Sequence, residues 1–421
     1  MNKTDRGALL TVFLVVLIDL LGFGIILPLL PFFASRFEVS PVMIGLLYSV
    51  YSFAQLIFSP IWGRLSDRIG RRPVMLVSTF GAAAAYVLFA FSHSFTLLFI
   101  SRLLAGIMGG NISTAQAYVA DVTSPEERAK GMGLIGAAFG IGFTLGPAFA
   151  ALFINEHFAA WVHQSFLPVA WSDWMSANRY ALPGFFAAAL SALSFLMIVF
   201  KLPETVGRAD LGDASRVARH GVFNKKFWVH FSQKNRAVGR ALPLLLIGMF
   251  VLALGHSSLY SSFPLYCKSV LMLSPGQVGL QFVIMGVITV LVQGGMIRPL
   301  VKRYGEKPLF LAGGVLMSAG LALVPFGHTA AVTSIFLGIM AVGAGLCGPT
   351  LTSLLSKEAE PAHVGAMMGT AQGMSALGRV IGPTWGGFLY GINARWPFWI
   401  TGCFMLALVW IGVAIRGKGT N

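Results

Sequence analysis

Three ionisable side chains interrupt long apolar stretches of this 421-residue chain, and each could take part in chemistry there. Asp19 lies in the first stretch, Arg102 in the fourth and Arg379 in the eleventh. A carboxyl group in apolar surroundings favours its neutral form, so Asp19 could bind and release a proton; alternatively, it caps a kinked helix near Gly22 and Gly24. Arg379 could pair with Asp19, bind an anionic group of a ligand, or bond only to helix carbonyl groups. The sequence therefore predicts that ionisable side chains lie within the apolar segments and could bind protons or charged groups there.

Uncharged polar and aromatic residues accompany these three side chains. They could line a ligand cavity or serve only as helix–helix contacts, and they are Tyr48, Tyr51, Gln55, Asn111, Gln116, His256, Tyr260 and Gln372. His256 differs from the others because imidazole changes its charge near physiological pH, although a lone histidine is more often packed than reactive. Arg102 also has an alternative, since an arginine near a membrane-helix end can extend its guanidinium to the interface. Together with Arg379, these eight residues are the candidate substrate-binding side chains.

Twelve apolar segments must position these residues. Hydrophobic residues make up 56% of the chain, charged residues make up 11%, and the mean hydropathy is +0.77. A soluble protein of this length could not bury so much apolar surface. A helix needs about 20 apolar residues to cross a bilayer, and the segments of that length are 7–33, 41–62, 73–92, 96–120, 131–154, 181–200, 241–265, 276–297, 308–326, 330–356, 364–390 and 396–415. We therefore predict an all-α membrane protein with twelve transmembrane helices.

The basic residues indicate how these helices are oriented. If the N-terminus is cytoplasmic, the loops on that side hold 24 of the 30 Lys and Arg residues, and the opposite loops hold only Arg36, Arg179, Lys268 and Arg395. This asymmetry follows the positive-inside rule, so the net charge of +15 reflects membrane topology and not nucleic-acid binding. Both termini are predicted to be cytoplasmic. Residues 201–240 are basic and lack a long apolar run, so we predict a cytoplasmic linker there, between six-helix bundles at residues 1–200 and 241–421.

The two halves carry a repeated glycine pattern. At an offset of about 236 residues, the same spacing of glycines before a Gly-Pro pair recurs in the fifth and eleventh segments. The matching residues are Gly133, Gly142, Gly146 and Pro147 in the first copy, and Gly369, Gly378, Gly382 and Pro383 in the second. Small residues let membrane helices approach closely, and proline bends a helix. The pattern predicts two closely packed helices and an internal duplication.

A charged turn at Gly63–Pro73 separates the second and third segments. It contains Asp67, followed by Arg68, Gly70, Arg71 and Arg72. Asp67 and the arginines could exchange partners during a conformational change and so act as a gate; alternatively, the turn only anchors the topology. Its counterpart at 298–308 keeps Arg303, Gly305 and Pro308 but has Lys302 where the first copy has Asp67. By sequence, only the N-terminal copy keeps the full charge pattern.

These motifs together resemble the major facilitator superfamily, and most closely its drug:proton antiporters, which include the tetracycline/proton antiporters. The resemblance is carried by Asp19-x-x-Gly22-x-Gly24, the charged turn, the Arg102-x-x-x-Gly106 pattern and the glycine repeat. It implies a fold of two pseudo-symmetric six-helix bundles, proton coupling through Asp19 and Arg102, and an antiporter-type packing motif in the fifth helix. Tetracycline antiporters carry further acidic residues where this chain has Ala85 and Met317, so the resemblance leaves the substrate open.

The sequence supports three functional hypotheses. The first is a proton-coupled antiporter that exports a small amphipathic compound by alternating access, with the proton gradient as its energy source and no cofactor. The second is a lipid or organic-anion transporter in which Arg379 binds the anionic group. The third is an intramembrane enzyme or receptor, for which the sequence offers no catalytic constellation and no metal-ligand spacing among Cys267, Cys347 and Cys403. The expected partners are the substrate, protons and membrane lipids, and we expect a monomer in the bacterial inner membrane.

Overall fold

The structure is a computed structural model that describes residues 3–123, 125–154, 180–205, 241–358 and 364–415, together with residues 158, 161–162, 171, 173–175 and 178. Every regular element within these residues is a helix, which confirms the predicted all-α fold class. Ten stretches of the described chain are long and apolar enough to cross a membrane. Helices also occupy the positions of the predicted fifth and eleventh segments, so all twelve predicted helices are present.

The long helices are numbered along the chain by the segment they fill. They are α1 (Lys3–Ile26), α2 (Pro41–Ile69), α3 (Arg71–Ala90), α4 (Phe95–Met108 with Ile112–Val122), α5 (Pro125–Ile154), α6 (Ala181–Lys201), α7 (Ala241–Ser269), α8 (Pro275–Leu291 with Ile297–Tyr304), α9 (Glu306–Leu323), α10 (Ala330–Glu358), α11 (Val364–Ile392) and α12 (Trp396–Ala414). A 3₁₀ turn at Gly109–Asn111 joins the two parts of α4, and a π-helical turn at Val292–Met296 joins those of α8.

The chain divides into two compact units. The first contains Met1–Ser40, Val50–Ala214 and Cys267–Gly286, and the second contains Pro41–Ser49, Ser215–Tyr266 and Val287–Asn421. The predicted division into two bundles and a linker stays a prediction, and residues 206–240 of that linker lie outside the described part of the chain.

Two helix boundaries differ from those expected. The first segment was predicted to continue to residue 33, but α1 ends at Ile26 and a short helix, Leu30–Ala34, follows. Pro28 lies between the two helices and accounts for the break, because a proline supplies no N–H to an α-helix and its ring clashes with the preceding turn. The charged turn is also shorter than expected, since α2 continues to Ile69 and α3 begins at Arg71. Gly70 alone reverses the chain, with φ of +104°, a conformation that side-chain-bearing residues rarely adopt.

Each unit has its own apolar core. In the first unit, Val12, Val15, Met75 and Tyr118 are fully buried together. In the second, Val292, Leu309 and Leu346 form a buried cluster. Large apolar side chains also remain exposed, including Phe80, Phe200 and Trp410. Such side chains are expected on helix faces that contact lipid, so the burial pattern agrees with a membrane-spanning bundle.

Candidate functional site

Asp19 lies in a small polar cluster inside the first unit. The Asn111 side-chain amide donates one hydrogen bond to Asp19 Oδ2 and another to Ser78 Oγ, each 2.9 Å long. Asn111 and Ser78 are both buried. The second carboxylate oxygen, Asp19 Oδ1, is buried and has no hydrogen-bond partner among the described residues. Because an ionised carboxylate is costly to bury without full hydrogen bonding, this arrangement suits a carboxyl group that spends part of its time protonated.

The break in α4 places Asn111 beside Asp19. Asn111 is the last residue of the 3₁₀ turn at Gly109–Asn111, where the helical hydrogen-bond pattern changes. Gln55 Nε2 donates to the Gly109 carbonyl at 2.9 Å, and Trp62 Nε1 donates to the Ile107 carbonyl at 2.6 Å. Both donors come from α2 and satisfy carbonyl groups that the break exposes. Gln55, predicted to line a cavity, therefore supports the helix that carries Asn111.

Arg102 is buried among aromatic rings and does not reach an exposed interface. Its side chain is 3% exposed, and its guanidinium carbon lies 5.3 Å from the centre of the Tyr51 ring and 5.9 Å from that of Phe89. The guanidinium also interacts with the Tyr86 hydroxyl. That hydroxyl packs against Gly22, where a Cβ would lie only 2.8 Å from it. Tyr86 therefore contacts both Arg102 and the helix turn that follows Asp19.

A second group of candidates meets in the other unit. The rings of His256 and Tyr260, one turn apart on α7, stack with their centres 5.3 Å apart. Arg379 on α11 lies close enough to Tyr260 to act on it electrostatically. Three predicted substrate-binding residues are thus neighbours, and the cluster combines a cation, a hydroxyl and an imidazole. Such a set can bind an anionic or hydrogen-bond-accepting group.

The remaining candidates lie elsewhere. Tyr48 is buried, Gln116 is partly buried in the second part of α4, and Gln372 is exposed on α11. Ala85 and Met317, which stand where tetracycline antiporters carry acids, are both buried. Ala85 packs in an apolar cluster with Tyr51. These two positions serve packing in this chain.

Four of the repeated glycines, Gly142, Gly146, Gly378 and Gly382, bring a helix against the first helix of its half. On α5, a Cβ at Gly142 would lie 2.6 Å from the Leu20 Cβ, and one at Gly146 would lie 2.6 Å from the Gly24 Cα. On α11, a Cβ at Gly378 would lie 2.6 Å from the Phe250 carbonyl oxygen. The close packing of α5 against α1 therefore fixes the position of the helix that carries Asp19.

The same packing recurs one turn further along α11. A Cβ at Gly382 would lie 2.6 Å from the Leu254 carbonyl oxygen of α7. Ser257 Oγ of α7 donates to the Gly378 carbonyl at 3.1 Å. Backbone thus meets backbone along this helix pair, which explains why glycine is required there.

The charged turn forms a network within the first unit. Arg71 is bonded to Asp67 and to Ser66, and its Nε donates to Asp121 Oδ2 at 3.0 Å. Asp121 lies at the end of α4, so the network joins three helices. Sequence reasoning identified Asp67 and Arg71 but missed Asp121, because a carboxylate at a helix end looks like an ordinary polar terminus.

Glu204 completes this network from the residues that follow α6. Its carboxylate accepts hydrogen bonds from the backbone N–H groups of Arg71 at 2.9 Å and Arg72 at 3.0 Å. These are the first residues of α3, whose N–H groups have no partner within the helix. A carboxylate there is also favoured by the helix dipole. Glu204 was missed because its partner is backbone, which leaves no pattern in the sequence.

We predict that Glu204→Ala destabilises the protein by about 1 kcal/mol, the usual effect of removing a helix N-cap. The thermal unfolding temperature of the purified protein should fall, and Glu204→Gln should show a smaller decrease because its amide oxygen can still accept one bond. Glu358→Ala, at the end of α10, removes the same charge without a cap and serves as the control. Equal unfolding temperatures for the Glu204→Ala and control variants would contradict the capping role.

Comparison with known proteins shows which family the chain belongs to. The family profile described as Major Facilitator Superfamily matches residues 12–298 and 245–419, which together cover nearly the whole chain. The chain belongs to the Major Facilitator Superfamily. It is therefore a multi-pass integral membrane transporter of small molecules and not an enzyme, as predicted.

Two relatives in this superfamily and one solved structure illustrate the similarity. The chain is 28% identical to the class B tetracycline resistance protein of Escherichia coli, covering 99% of this chain and 95% of that protein. It is 27% identical to multidrug resistance protein 2 of Bacillus subtilis (strain 168), covering 95% of each chain. The crystal structure of the human organic anion transporter MFSD10 (TETRAN) superposes with a TM-score of 0.65 at 27% identity, covering 98% of this chain and 100% of that one. The resemblance to tetracycline antiporters stated from the motifs is confirmed at the level of sequence.

Proposed function

We propose that this superfamily member is a proton-coupled antiporter that exports a small amphipathic compound by alternating access. The observation that carries the proposal is Asp19, a buried carboxyl group with one oxygen bonded to Asn111 and the other without a hydrogen-bond partner among the described residues. Protonation would relieve the cost of burying its charge, and deprotonation would be favoured when water reaches the cluster. The likeness to tetracycline and multidrug resistance proteins supports an export function.

The proposed cycle uses the residues around Asp19. Asn111 can hold one carboxyl oxygen in either protonation state, because an amide N–H donates both to a carboxylate and, more weakly, to the carbonyl of a carboxylic acid. Arg102, buried beside Tyr51, interacts with Tyr86, whose hydroxyl lies against Gly22 in the turn after Asp19, so we propose that Arg102 is coupled to Asp19 through this tyrosine. Both termini and the charged turn are proposed to be cytoplasmic, in a bacterial inner membrane, following the distribution of basic residues.

The test is transport by purified protein in proteoliposomes with an imposed pH gradient. A panel should include a tetracycline, an amphipathic cation and an amphipathic organic anion. We expect at least one compound to accumulate against its gradient only when the pH gradient is present, with proton movement in the opposite direction reported by a pH-sensitive dye. Accumulation that is unaffected by collapsing the gradient with a protonophore would reject proton coupling.

A second candidate function is organic-anion transport. It is favoured by the similarity to the human organic anion transporter structure and by the Arg379, Tyr260 and His256 cluster. The guanidinium would bind the anionic group, as a planar donor fork suited to carboxylates.

If an anion of the panel is transported, we expect Arg379→Ala to remove its transport and Arg379→Lys to restore it in part, since lysine keeps the charge and loses the bidentate geometry. Transport of a cationic compound in the same vesicles is the internal control and should change little. Equal loss of both compounds would instead assign Arg379 a structural role.

A further inference from the structure

The second copy of the charged turn preserves the first copy's ion-pair positions with the charges reversed. At the repeat offset of about 235 residues, Asp67, Arg71 and Asp121 correspond to Lys302, Glu306 and Lys357 to within one residue. In the first unit, Arg71 is bonded to both Asp67 and Asp121. In the second unit, Glu306 is bonded to Lys357. The copy that looked eroded by sequence therefore retains the pair, and its third member is Lys302.

Lys302 lies in a pocket of the second unit. The cavity is about 350 Å³ and is lined by Ile297, Arg298, Val301, Lys302, Glu306, Pro349, Thr350 and Ser353. Arg298 and Lys302 are four residues apart on α8, so their side chains share one helix face. Both are exposed, and no hydrogen bond or ion pair joins either cation to another described residue.

The carboxylate in this pocket does not neutralise those cations. Glu306 is bonded to Lys357 and also accepts a hydrogen bond from Ser353 Oγ at 3.1 Å. Its negative charge is therefore already balanced by Lys357. The pocket keeps two positive charges, from Arg298 and Lys302, in the last part of α8, Ile297–Tyr304.

Three of the other lining residues are apolar, and neighbouring positions on both helices are open. Ile297, Val301 and Pro349 supply aliphatic surface beside the two cations. Gly294 and Gly295, in the π-helical turn of α8, have no atom within 4 Å of where a Cβ would lie. Gly348, beside Pro349 on α10, is equally open. The pocket thus has apolar surface next to its charges, and its volume of about 350 Å³ suits a small ligand or a lipid headgroup.

We propose that this pocket, centred on Arg298 and Lys302, binds the anionic head of an amphipathic molecule, with a phosphate-type head between the cations and an apolar portion against Ile297 and Val301. Basic pockets between membrane helices bind anionic headgroups because the charges attract the head while neighbouring apolar surface accepts the chain. In the first copy Asp67 is bonded to the central Arg71, whereas no ion pair joins Lys302 to the central Glu306 among the described residues, so the charge of Lys302 is available to a ligand. The proposal does not depend on the transport function.

The test measures binding to the purified full-length protein. One arm titrates dioleoylphosphatidylglycerol and follows bound lipid by native mass spectrometry, with dioleoylphosphatidylcholine for comparison. The other arm titrates octyl phosphate below its micelle concentration by calorimetry, with inorganic phosphate for comparison. The variant Arg298→Gln/Lys302→Gln should weaken binding about tenfold for whichever of the two ligands, the anionic lipid or octyl phosphate, the wild-type pocket binds.

Two further variants keep the result interpretable. Arg303→Gln/Arg395→Gln removes the same charge outside the pocket lining and should change binding less than twofold. Val301→Trp fills the pocket while leaving both cations in place, so it should likewise weaken binding about tenfold or more, and it replaces the double variant if that variant unfolds. Loss in the lipid arm identifies a membrane lipid as the ligand, and loss in the octyl phosphate arm identifies a soluble amphipathic anion.

Three results would overturn the proposal. In the first, both ligands bind the double variant as tightly as they bind the wild type. In the second, the charge-matched control loses as much affinity as the pocket variant, and in the third, Val301→Trp binds both ligands normally. Binding of inorganic phosphate as tight as that of octyl phosphate would likewise reject the apolar half of the site.

Discussion

Asp19→Asn is expected to leave a folded, membrane-inserted protein that no longer moves protons with its substrate. The asparagine is nearly isosteric, and its amide oxygen can still accept the hydrogen bond that Asn111 now donates to Asp19 Oδ2. Packing against α5 involves Leu20 and Gly24, which the substitution does not touch. Only the ability to bind and release a proton is removed, so the coupled reaction should fail while the structure persists.

The measurement compares two reactions in the same proteoliposomes. Accumulation driven by a pH gradient should fall to the level of protein-free vesicles, whereas exchange of labelled for unlabelled substrate, which needs no net proton movement, should continue. Asp173→Asn is the matched control, since Asp173 is exposed in the described structure. Gradient-driven accumulation at wild-type level in the Asp19 variant would exclude the coupling role. Loss of exchange as well would place Asp19 in substrate binding.

The second large effect is expected where the eleventh helix meets the seventh. Gly382→Ala should destabilise the protein by about 1 to 3 kcal/mol, because the new methyl group would lie 2.6 Å from the Leu254 carbonyl oxygen and even closer to Ser257 Oγ. The obstacle is backbone, which cannot rotate away as a side chain can. The helices would have to separate, and the unfolding temperature of the purified protein should drop by several degrees.

Gly369→Ala is a control within the same helix and the same repeated pattern. No atom lies within 4 Å of the position its Cβ would take. Alanine is a better helix former than glycine by roughly 0.5 to 1 kcal/mol, so this variant should be as stable as the wild type or slightly more so. The two substitutions are thus expected to have opposite signs. Destabilisation of both by the same amount would mean that the effect arises from the helix itself and not from its packing.

The first-half glycines offer an independent check of the same reasoning. Gly146 of α5 meets the backbone of Gly24, whereas Gly136 of the same helix has open space around it. Alanine at Gly146 should separate α5 from α1 and so reduce both stability and transport, while alanine at Gly136 should affect neither. We therefore expect the loss of stability to depend on the contact that each glycine makes and not on the number of glycines in the helix.

Much of the fold could be predicted because its determinants are local. An apolar run of helical length is recognisable wherever it occurs, since every backbone group must be paired inside a bilayer and only a helix pairs them within one segment. The repeat offset and the motif glycines are likewise properties of the chain. Asp19, Arg102 and Arg379 were recognisable as candidates because a charge within an apolar segment is costly in any arrangement.

The contacts of those residues could not be predicted from their spacing. Ser78 and Tyr86 carry no charge, and nothing in their sequence context separates them from other polar residues in apolar helices; they matter because α3 brings them to Asn111, Arg102 and Gly22. Glu204 was missed for a related reason, since it bonds to backbone N–H groups that every residue possesses.

The charged turn and its repeat show most clearly what the sequence determines and what only the tertiary structure decides. The sequence alone determined that a turn with fixed glycines recurs, and that Lys302 stands where Asp67 would be expected. Only the tertiary structure showed that Glu306 meets Lys357 as Arg71 meets Asp121, because the partners lie about 50 residues apart and are joined by helix packing. A sequence records which charges a chain carries, whereas folding decides which of them meet, since Coulomb energy and hydrogen bonding depend on distances that only packed helices fix.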